Sequence, residues 1–351
     1  MIKYLKQIAL RYLSKGVAWQ TISNNCSFDL DQFPMGYFKS FGKKNPDKVF
    51  YVIWCRDRGH GFFSNLSHVL CHLKIADSGG MIPIVDFQNF QTLYNENFTV
   101  HGTKNAWEYY FKPVSPYTLD EVYESKNVFF CSGSYPAGMS YSITQINGLY
   151  DEIYRKYISL QNHTETLLDK YSGQFNSKVL GIHFRGQEMK LTASHSFPPT
   201  ERQMIRYTDE IIEKYNIEKI FFVSEEQRYL DLFMKRYREK VFYTDSLRTY
   251  GVNAYNLNPR EKHRYLLGLD VLIDASLLAK CRGLLCGDSN VSEFARFVNN
   301  KYEFVYKIYN GVNSSTPLIA RYLYGIKKRL PARFGGLADK VVISESPYVP
   351  H

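Results

Sequence analysis

Short, continuous apolar runs alternate with segments of helical periodicity along most of the chain, and this alternation constrains the fold more than any other feature. Residues 49–54 form one such run, residues 63–78 carry apolar positions at helical spacing, and residues 81–86 form a second run. A glycine-containing turn precedes the helical segment, and Gly79 and Gly80 end it, as in a βαβ unit. Strands that alternate with helices pair in parallel. The sequence therefore predicts an α/β protein with parallel sheets.

A second series of the same kind follows a polar linker at residues 172–177. The chain has 351 residues, which exceeds one ordinary core and suits two domains. We expect these domains at residues 46–172 and 173–335, with a helix and an irregular segment before them at 1–45 and a tail after them at 336–351. The remaining predicted strands are residues 128–131, 179–184, 219–223, 241–243 and 283–286, and the remaining predicted helices are residues 143–168, 200–215, 227–237, 266–279 and 289–298.

The net charge of +10 comes from lysines and arginines that are scattered along the chain. A basic surface suits phosphorylated small molecules, an anionic membrane or nucleic acid. We rank nucleic acid last and expect no such partner, because the chain has no zinc-finger spacing, basic tail or RNA-binding signature. The first 19 residues have apolar positions at helical spacing, interrupted by lysine and arginine. They predict a basic amphipathic helix that lies on an anionic membrane or docks on its own domain.

The six cysteines include no CxxC pair, and most lie in apolar segments. Cys281 and Cys286 are five residues apart and have no histidine or cysteine partner nearby at the spacing of a metal site. The first residues lack the uninterrupted apolar core of a secretory signal, and no run of about twenty apolar residues predicts a membrane span. We therefore expect reduced, buried thiols, no zinc site, and a cytoplasmic protein.

The strand predicted at residues 179–184 ends in a group of residues suited to hold an anion. His183 and Arg185 are two apart, so their side chains point the same way at the carboxyl end of the strand. That end is where parallel sheets bind ligands, and the planar guanidinium of arginine matches a diphosphate. Gly186 then allows a turn and a close ligand approach. These residues predict a diphosphate site.

A second group of polar residues follows the strand at 283–286, where Ser289 and Asn290 precede a predicted helix. Either side chain is able to cap that helix, and free backbone N–H groups at a helix start also bind phosphate. Because both strands belong to one parallel sheet, their carboxyl ends lie at the same edge. A sugar nucleotide needs the charge of the first group and the N–H groups of the second.

These motifs resemble those of the fucosyltransferase superfamily that includes α1,6-fucosyltransferases, nodulation fucosyltransferases and protein O-fucosyltransferases. His183-Phe184-Arg185 corresponds to the family's His-x-Arg. Residues 272–274, which end in Asp274, and residues 286–290 correspond to the family's Asp and Cys-Thr-Phe-Ser-Ser stretch at the same spacing. Residues 58–65, from Arg58 to Asn65, look like the family's Gly-rich loop that ends in Gly-Asn, and residues 105–111 are similar to bacterial members.

The resemblance implies a GT-B fold, in which two Rossmann-like domains with parallel sheets face each other across a cleft. It implies an inverting, metal-independent transfer of fucose from GDP-fucose, without cofactor, to a hydroxyl of a glycan acceptor, in the synthesis of a bacterial surface polysaccharide. By the resemblance, the N-terminal domain serves the acceptor and the C-terminal domain binds the donor. The donor-binding residues would be His183, Arg185, Asp274, Ser289, Asn290 and Gly61, and Asn65 would face the reacting centre.

The sequence does not decide which donor and acceptor the protein uses or which residue is the catalytic base. Gly186 stands where many members have a second arginine, and Asp288 adds a negative charge near the expected diphosphate. An inverting transfer also needs a base, for which Glu188 is our first choice because it follows the strand end directly; His195 and His60 are the others. A different nucleotide sugar, or a nucleotide- or glycan-binding protein without activity, remains an alternative. A lipid-linked acceptor would place the enzyme at the inner face of the cytoplasmic membrane, aided by residues 327–329.

Overall fold

A computed structural model describes residues 36–136, 149–175, 178–186, 188–337 and 343–345. The expected N-terminal amphipathic helix lies outside these residues. The chain forms two compact units, one up to Asn162 and one from His163. Each unit is built on a sheet in which most strands are parallel, which confirms the predicted α/β class. In the described part of the chain, no helix combines the length and apolar character that crossing a bilayer requires.

The sheet of the first unit has four strands in the order β1-β4-β2-β3. Strands β2, β3 and β4 are parallel, as predicted, and their apolar runs are buried because helices cover such sheets. Pro83 lies in β3 at the sheet edge, where its missing N–H costs no ladder bond. The strands are β1 (Gly36–Lys39), β2 (Phe50–Ile53), β3 (Ile82–Val85) and β4 (Val128–Cys131), and the helices are α1 (Phe62–Ser78), α2 (Leu119–Val122) and α3 (Leu149–Tyr157).

The long helix predicted at residues 143–168 is wrong, because the helical structure is interrupted after Tyr157 and resumes at Asn162. Between Tyr157 and Asn162 the backbone is not helical and pairs instead with the segment at residues 110–111. Leu160 forms a β-bridge with Phe111, and the N–H of Gln161 donates to the carbonyl of Tyr110. Long-range pairing therefore overrides a locally favourable helical pattern at this point.

The second unit contains a six-stranded sheet in the order β10-β9-β8-β5-β6-β7, with β10 antiparallel to β9 and the rest parallel. The chain starts at β5, runs outward through β6 and β7, and then returns to β8 on the other side of β5. The strands are β5 (Val179–His183), β6 (Lys219–Val223), β7 (Val241–Phe242), β8 (Gly283–Gly287), β9 (Phe304–Ile308) and β10 (Ile343–Glu345), and the helices are α4 (Asn162–Ser172), α5 (Glu201–Tyr215), α6 (Gln227–Tyr237), α7 (His263–Leu278), α8 (Asn290–Val298) and α9 (Pro317–Lys327).

Among the described residues of the second unit, four short 3-10 helices lie at Glu188–Lys190, Arg238–Lys240, Ala254–Asn256 and Ala332–Phe334. The sequence missed β1, α2, β9 and α9, and β10 lies in the tail expected to be irregular. The core of this unit joins the middle of the sheet to α5 and α6, and Phe184 stacks on Tyr229 with ring centroids 3.8 Å apart. This packing fixes the end of β5, where the predicted site begins.

Candidate functional site

The strand order of the second unit reverses between β5 and β8, the two central strands. At such a switch point the following loops leave to opposite faces of the sheet, and a crevice opens at the carboxyl ends of the strands. His183 is the last residue of β5, and Gly287 is the last residue of β8. The two groups of polar residues predicted from the sequence therefore meet at the place where this class of sheet binds ligands.

Arg185 and Ser289 are in contact across this switch point. The guanidinium Nη1 of Arg185 donates to Ser289 Oγ at 3.5 Å, and Ser289 caps α8 by accepting the N–H of Val291 at 3.3 Å. Ser289 is therefore the cap, and Asn290 is the first helical residue. A guanidinium beside a helix start combines a full positive charge with backbone N–H donors. The arrangement can bind a phosphate or diphosphate.

His183 is buried beneath these residues and fixes the position of α8. Its Nδ1 lies 2.6 Å from Oγ of Ser292, one turn into the helix. Burial, with a smaller contribution from the charge of Arg185, lowers the pKa of His183 to about 3. The imidazole is therefore neutral at physiological pH. In this structure its contact with Ser292 joins β5 to α8.

Gly186 is enclosed by other residues and has no room for a side chain. Its N–H donates to Oε1 of Glu225 at 3.1 Å, and a Cβ atom here would lie 2.7 Å from both Cε2 and Oη of Tyr229. The tyrosine ring is itself held by stacking on Phe184. The absence of a second arginine at this position thus follows from the packing of Tyr229.

The negative charge of Asp288 is compensated by neighbouring groups. Lys307 Nζ lies 2.7 Å from Oδ1 of Asp288, and Ser196 Oγ donates to Oδ2 at 2.6 Å. Burial opposes the charged form, but the hydrogen bonds from Lys307 and Ser196 outweigh it and lower the pKa of Asp288. Lys307 is shared with the buried Glu293, whose Oε1 lies 2.8 Å from Nζ and which Arg296 also pairs with, so the group as a whole reduces the repulsion of a bound diphosphate.

Asp274 belongs to a second polar cluster, beside the loop that follows β7. Thr244 Oγ1 donates to its Oδ1 at 2.5 Å, and burial raises the pKa of Asp274 to about 6 although the charge of Arg248 opposes the rise. Arg248 donates through Nη1 to the carbonyls of Thr244 and Ser246, while its Nη2 is buried without a partner. This cluster can offer a carboxylate acceptor and a guanidinium donor to a planar polar ligand.

The loop after Arg185 carries the two candidate bases of this unit. Glu188 begins the 3-10 helix Glu188–Lys190, but its side chain lies outside the described part of the structure. His195 is exposed, and its backbone carbonyl accepts the N–H of Asn313 at 2.8 Å. The Asn313 side chain also donates to the carbonyl of Thr192 at 3.3 Å. The loop is therefore tied to the segment before α9.

The remaining predicted residues, Gly61 and Asn65, lie in the first unit at the start of α1. Gly61 is the N-terminal cap residue of α1, and its carbonyl accepts the N–H of Asn65 at 3.0 Å. Asn65 is buried and lines a small apolar pocket that also includes Phe62 and Trp107. Its Oδ1 is buried without a hydrogen-bond partner, which leaves an acceptor available. His60 precedes Gly61 and lies near Asp57.

Sequence reasoning missed the residues that support this site from distant parts of the chain. Ser292, Tyr229 and Lys307 contact His183, Gly186 and Asp288 through the fold, and no local pattern marks them. Glu225, Thr244 and Ser246 were not missed in the same way, because they lie at or near strand ends in segments 223–226 and 243–246, whose sequences weakly resemble the same superfamily.

No protein-family model matches the chain, and no curated protein matches it in sequence. Among solved structures, it is similar to NodZ α1,6-fucosyltransferase soaked with GDP-fucose, at 15% identity over 74% of this chain and 95% of that one, with a TM-score of 0.48. Fucosyltransferase NodZ from Bradyrhizobium gives 14% identity over the same shares and a TM-score of 0.48. POFUT1 in complex with GDP-fucose gives 12% identity over 74% of this chain and 72% of that one, with a TM-score of 0.32.

Proposed function

We propose that this protein is an inverting, metal-independent glycosyltransferase that moves fucose from GDP-fucose to a hydroxyl of a glycan. The observation that carries the proposal is the contact between Arg185 and Ser289 at the switch point between β5 and β8. A guanidinium and a helix start that converge there suit the diphosphate of a nucleotide sugar. The choice of guanine and fucose depends on the resemblance of the motifs around His183, Asp274 and Asn65.

The same groups supply the stabilisation that the transfer requires. The acceptor oxygen bonds to the anomeric carbon of the sugar as the bond from that carbon to the β-phosphate oxygen breaks, and GDP departs with the bonding electrons. Arg185 and the N–H groups at the start of α8 would neutralise the charge that develops on the departing diphosphate. Glu188 would take the proton of the acceptor hydroxyl, and Asn65 would orient the reacting groups.

Asp274 would select the base of the nucleotide. A carboxylate accepts hydrogen bonds from the N–H donors that guanine presents side by side, and Thr244 already holds one oxygen of the Asp274 carboxylate in place. By the resemblance, His183 would also contact the guanine, and its Nδ1 lies 2.6 Å from Ser292 Oγ. A different nucleotide sugar on the same scaffold is the second candidate, favoured only by the departures at Gly186 and Asp288.

The surface of α9 suits work on a lipid-linked acceptor at an anionic membrane. Its inner face is buried through Ala320 and Tyr324, whereas the outer face exposes Leu318, Ile319, Tyr322 and Ile326. Lys328 and Arg329 follow directly and are also exposed. An apolar stripe beside basic residues is typical of helices that lie in a membrane interface. We infer peripheral association and a role in the synthesis of surface polysaccharide.

Titration with nucleotides and a turnover assay together test the proposal. Isothermal titration calorimetry should show tighter binding of GDP than of UDP or CMP, and GDP-fucose should release GDP faster when a glycan acceptor is added without divalent cation. A preference for UDP or CMP would contradict the fucose donor but not the diphosphate site. Binding of GDP with no release of GDP under any acceptor condition would favour a nucleotide-binding protein without activity.

A further inference from the structure

Two histidines and a cysteine form a buried cluster in the first unit that the proposed transfer does not use. His68 and His72 are four residues apart on α1 and so lie on one face of the helix, and Cys131 ends β4. All three are buried, and one ligand atom from each lies within 4.8 Å of the other two. Imidazole nitrogen and thiolate sulfur are donors that zinc prefers, and the ligand atoms would need to draw closer to one another to hold it.

The hydrogen bonds of the two histidines to carbonyls leave Nδ1 of each ring as an acceptor, and Tyr51 Oη already contacts that of His72 at 2.8 Å. His68 Nε2 lies 2.9 Å from the carbonyl oxygen of Trp54, and His72 Nε2 lies 3.1 Å from that of Ser134. Because a carbonyl only accepts, each Nε2 carries the hydrogen and each Nδ1 of the neutral ring is a lone pair.

These second contacts are the ones that metal-binding histidines make. A histidine that coordinates a metal through one nitrogen usually donates its other N–H to a backbone carbonyl or carboxylate, which fixes the ring. In addition, Nδ1 of His68 is buried without a hydrogen-bond partner. A buried acceptor without a donor costs free energy, and a cation would satisfy it.

We propose that His68, His72 and Cys131 bind a zinc ion. The ion would displace the hydrogen bond between Tyr51 Oη and His72 Nδ1, which are 2.8 Å apart, and the Tyr51 phenol, keeping its proton, could offer an oxygen lone pair as the fourth ligand. The Cys131 thiol, which now donates to the carbonyl of Trp54, would lose its proton to solvent as the sulfur–zinc bond forms. The site ties α1 to the end of β4.

The expectation of no zinc site came from the spacing of Cys281 and Cys286 and could not reveal this cluster. Cys131 is remote from the two histidines in sequence, and only the pairing of β4 beside β2 brings it to α1. The proposed ion is structural and lies in the first unit, whereas the diphosphate site lies in the second. The two proposals therefore stand or fall separately.

Titration of the full chain with cobalt, purified without a polyhistidine tag and stripped by a chelator, tests this site. One equivalent of Co²⁺ should produce a thiolate-to-cobalt charge-transfer band, and one equivalent of Zn²⁺ should abolish it. Cys131→Ser should lose the band, and His68→Gln should lose or weaken it. Cys71→Ser is the matched control, because Cys71 is buried on the same helix but outside the cluster, and it should retain the band.

A second measurement needs no variant and keeps the test decisive if a variant fails to fold. The thermal midpoint of the wild-type chain, stripped of metal, should rise on addition of one equivalent of Zn²⁺ and should not rise with Mg²⁺. Absence of the cobalt band in the wild type, its persistence in Cys131→Ser, or a midpoint that Zn²⁺ leaves unchanged would overturn the proposal.

Discussion

At the end of β5 there is one guanidinium, that of Arg185, and the next residue is Gly186. The packing of Tyr229 over Gly186 explains why this position holds no side chain. The rings of Phe184 and Tyr229 are nearly parallel and in contact, so Tyr229 cannot easily move aside. The charge available for a diphosphate at this strand end therefore comes from Arg185.

Substitution of Gly186 tests this packing. Gly186→Ala should lower the free energy of unfolding by about 1–3 kcal/mol, the usual cost of overpacking a rigid site. When Gly186→Ala is combined with Tyr229→Ala, the alanine at 186 should cost little further stability, because the clashing ring is gone. Chemical denaturation of the single and double variants measures this difference. Gly325→Ala is the control, because its Cβ would meet no atom within 4 Å and alanine favours the helix. An equal loss of unfolding free energy in Gly186→Ala and Gly325→Ala would contradict the packing of Tyr229 over Gly186.

Asp274 should make stability depend on pH. Its folded-state pKa of about 6 exceeds the ordinary value of 3.8, chiefly through burial, so the folded chain holds this proton more tightly than the unfolded chain. The resulting stabilisation is complete below about pH 4 and is lost as the pH rises through 6. Its size is up to about 3 kcal/mol.

Chemical denaturation at several pH values checks this linkage. Relative to Asp274→Asn, which does not titrate, the wild type should lose stability between pH 4 and pH 7. A difference between the two proteins that does not vary with pH would show that Asp274 titrates normally.

At the scale of elements, Ser289 has two separable roles, because it caps α8 and contacts Arg185. Ser289→Ala should remove the cap and cost about 1 kcal/mol of stability. Ser289→Asp should retain a capping side chain and stability but weaken GDP binding, because its charge would repel the diphosphate and hold Arg185. Denaturation and calorimetry on both variants separate the roles. Unchanged GDP binding in Ser289→Asp would place the diphosphate elsewhere.

The elements that the sequence predicted are those whose signals are local. Strand alternation and helix capping placed His183, Arg185 and Ser289 correctly, because their positions depend on β5, β8 and α8 alone. Tertiary contacts decided the rest. The bridge from Leu160 to Phe111 interrupts the predicted helix at 143–168, and the edge strands β1 and β10 exist because β4 and β9 offer free ladder groups.

The support around the site could not be predicted because it joins distant segments. Lys307 pairs with Asp288, and Thr244 holds Asp274, only after the sheet has assembled. The same reason hides the cluster of His68, His72 and Cys131. A single sequence therefore indicates which residues lie at the strand ends. The structure is needed to show which distant side chains change the charge and fix the position of those residues.

At the scale of the whole molecule, the net charge of +10 and the outer face of α9 predict binding to anionic vesicles. Leu318→Glu combined with Ile326→Glu should reduce vesicle partitioning by at least about tenfold, because both side chains are exposed on that face. Val298→Glu combined with Val252→Glu is the control matched in charge, because both are exposed apolar residues outside α9. Sedimentation with anionic and zwitterionic vesicles measures the effect. If the control lost as much vesicle partitioning as the α9 variant, the added negative charge alone would explain the effect, without a role for the face of α9.

Titration of GDP into the wild type and Arg185→Ala tests the central claim most directly. Loss of a charge-assisted contact to a phosphate should weaken binding about ten- to a hundredfold. Arg236→Ala is the control, because Arg236 pairs with Asp209 on the surface of α6 and should leave the affinity unchanged. If Arg185→Ala binds GDP as tightly as the wild type does, the switch point between β5 and β8 is not the nucleotide site.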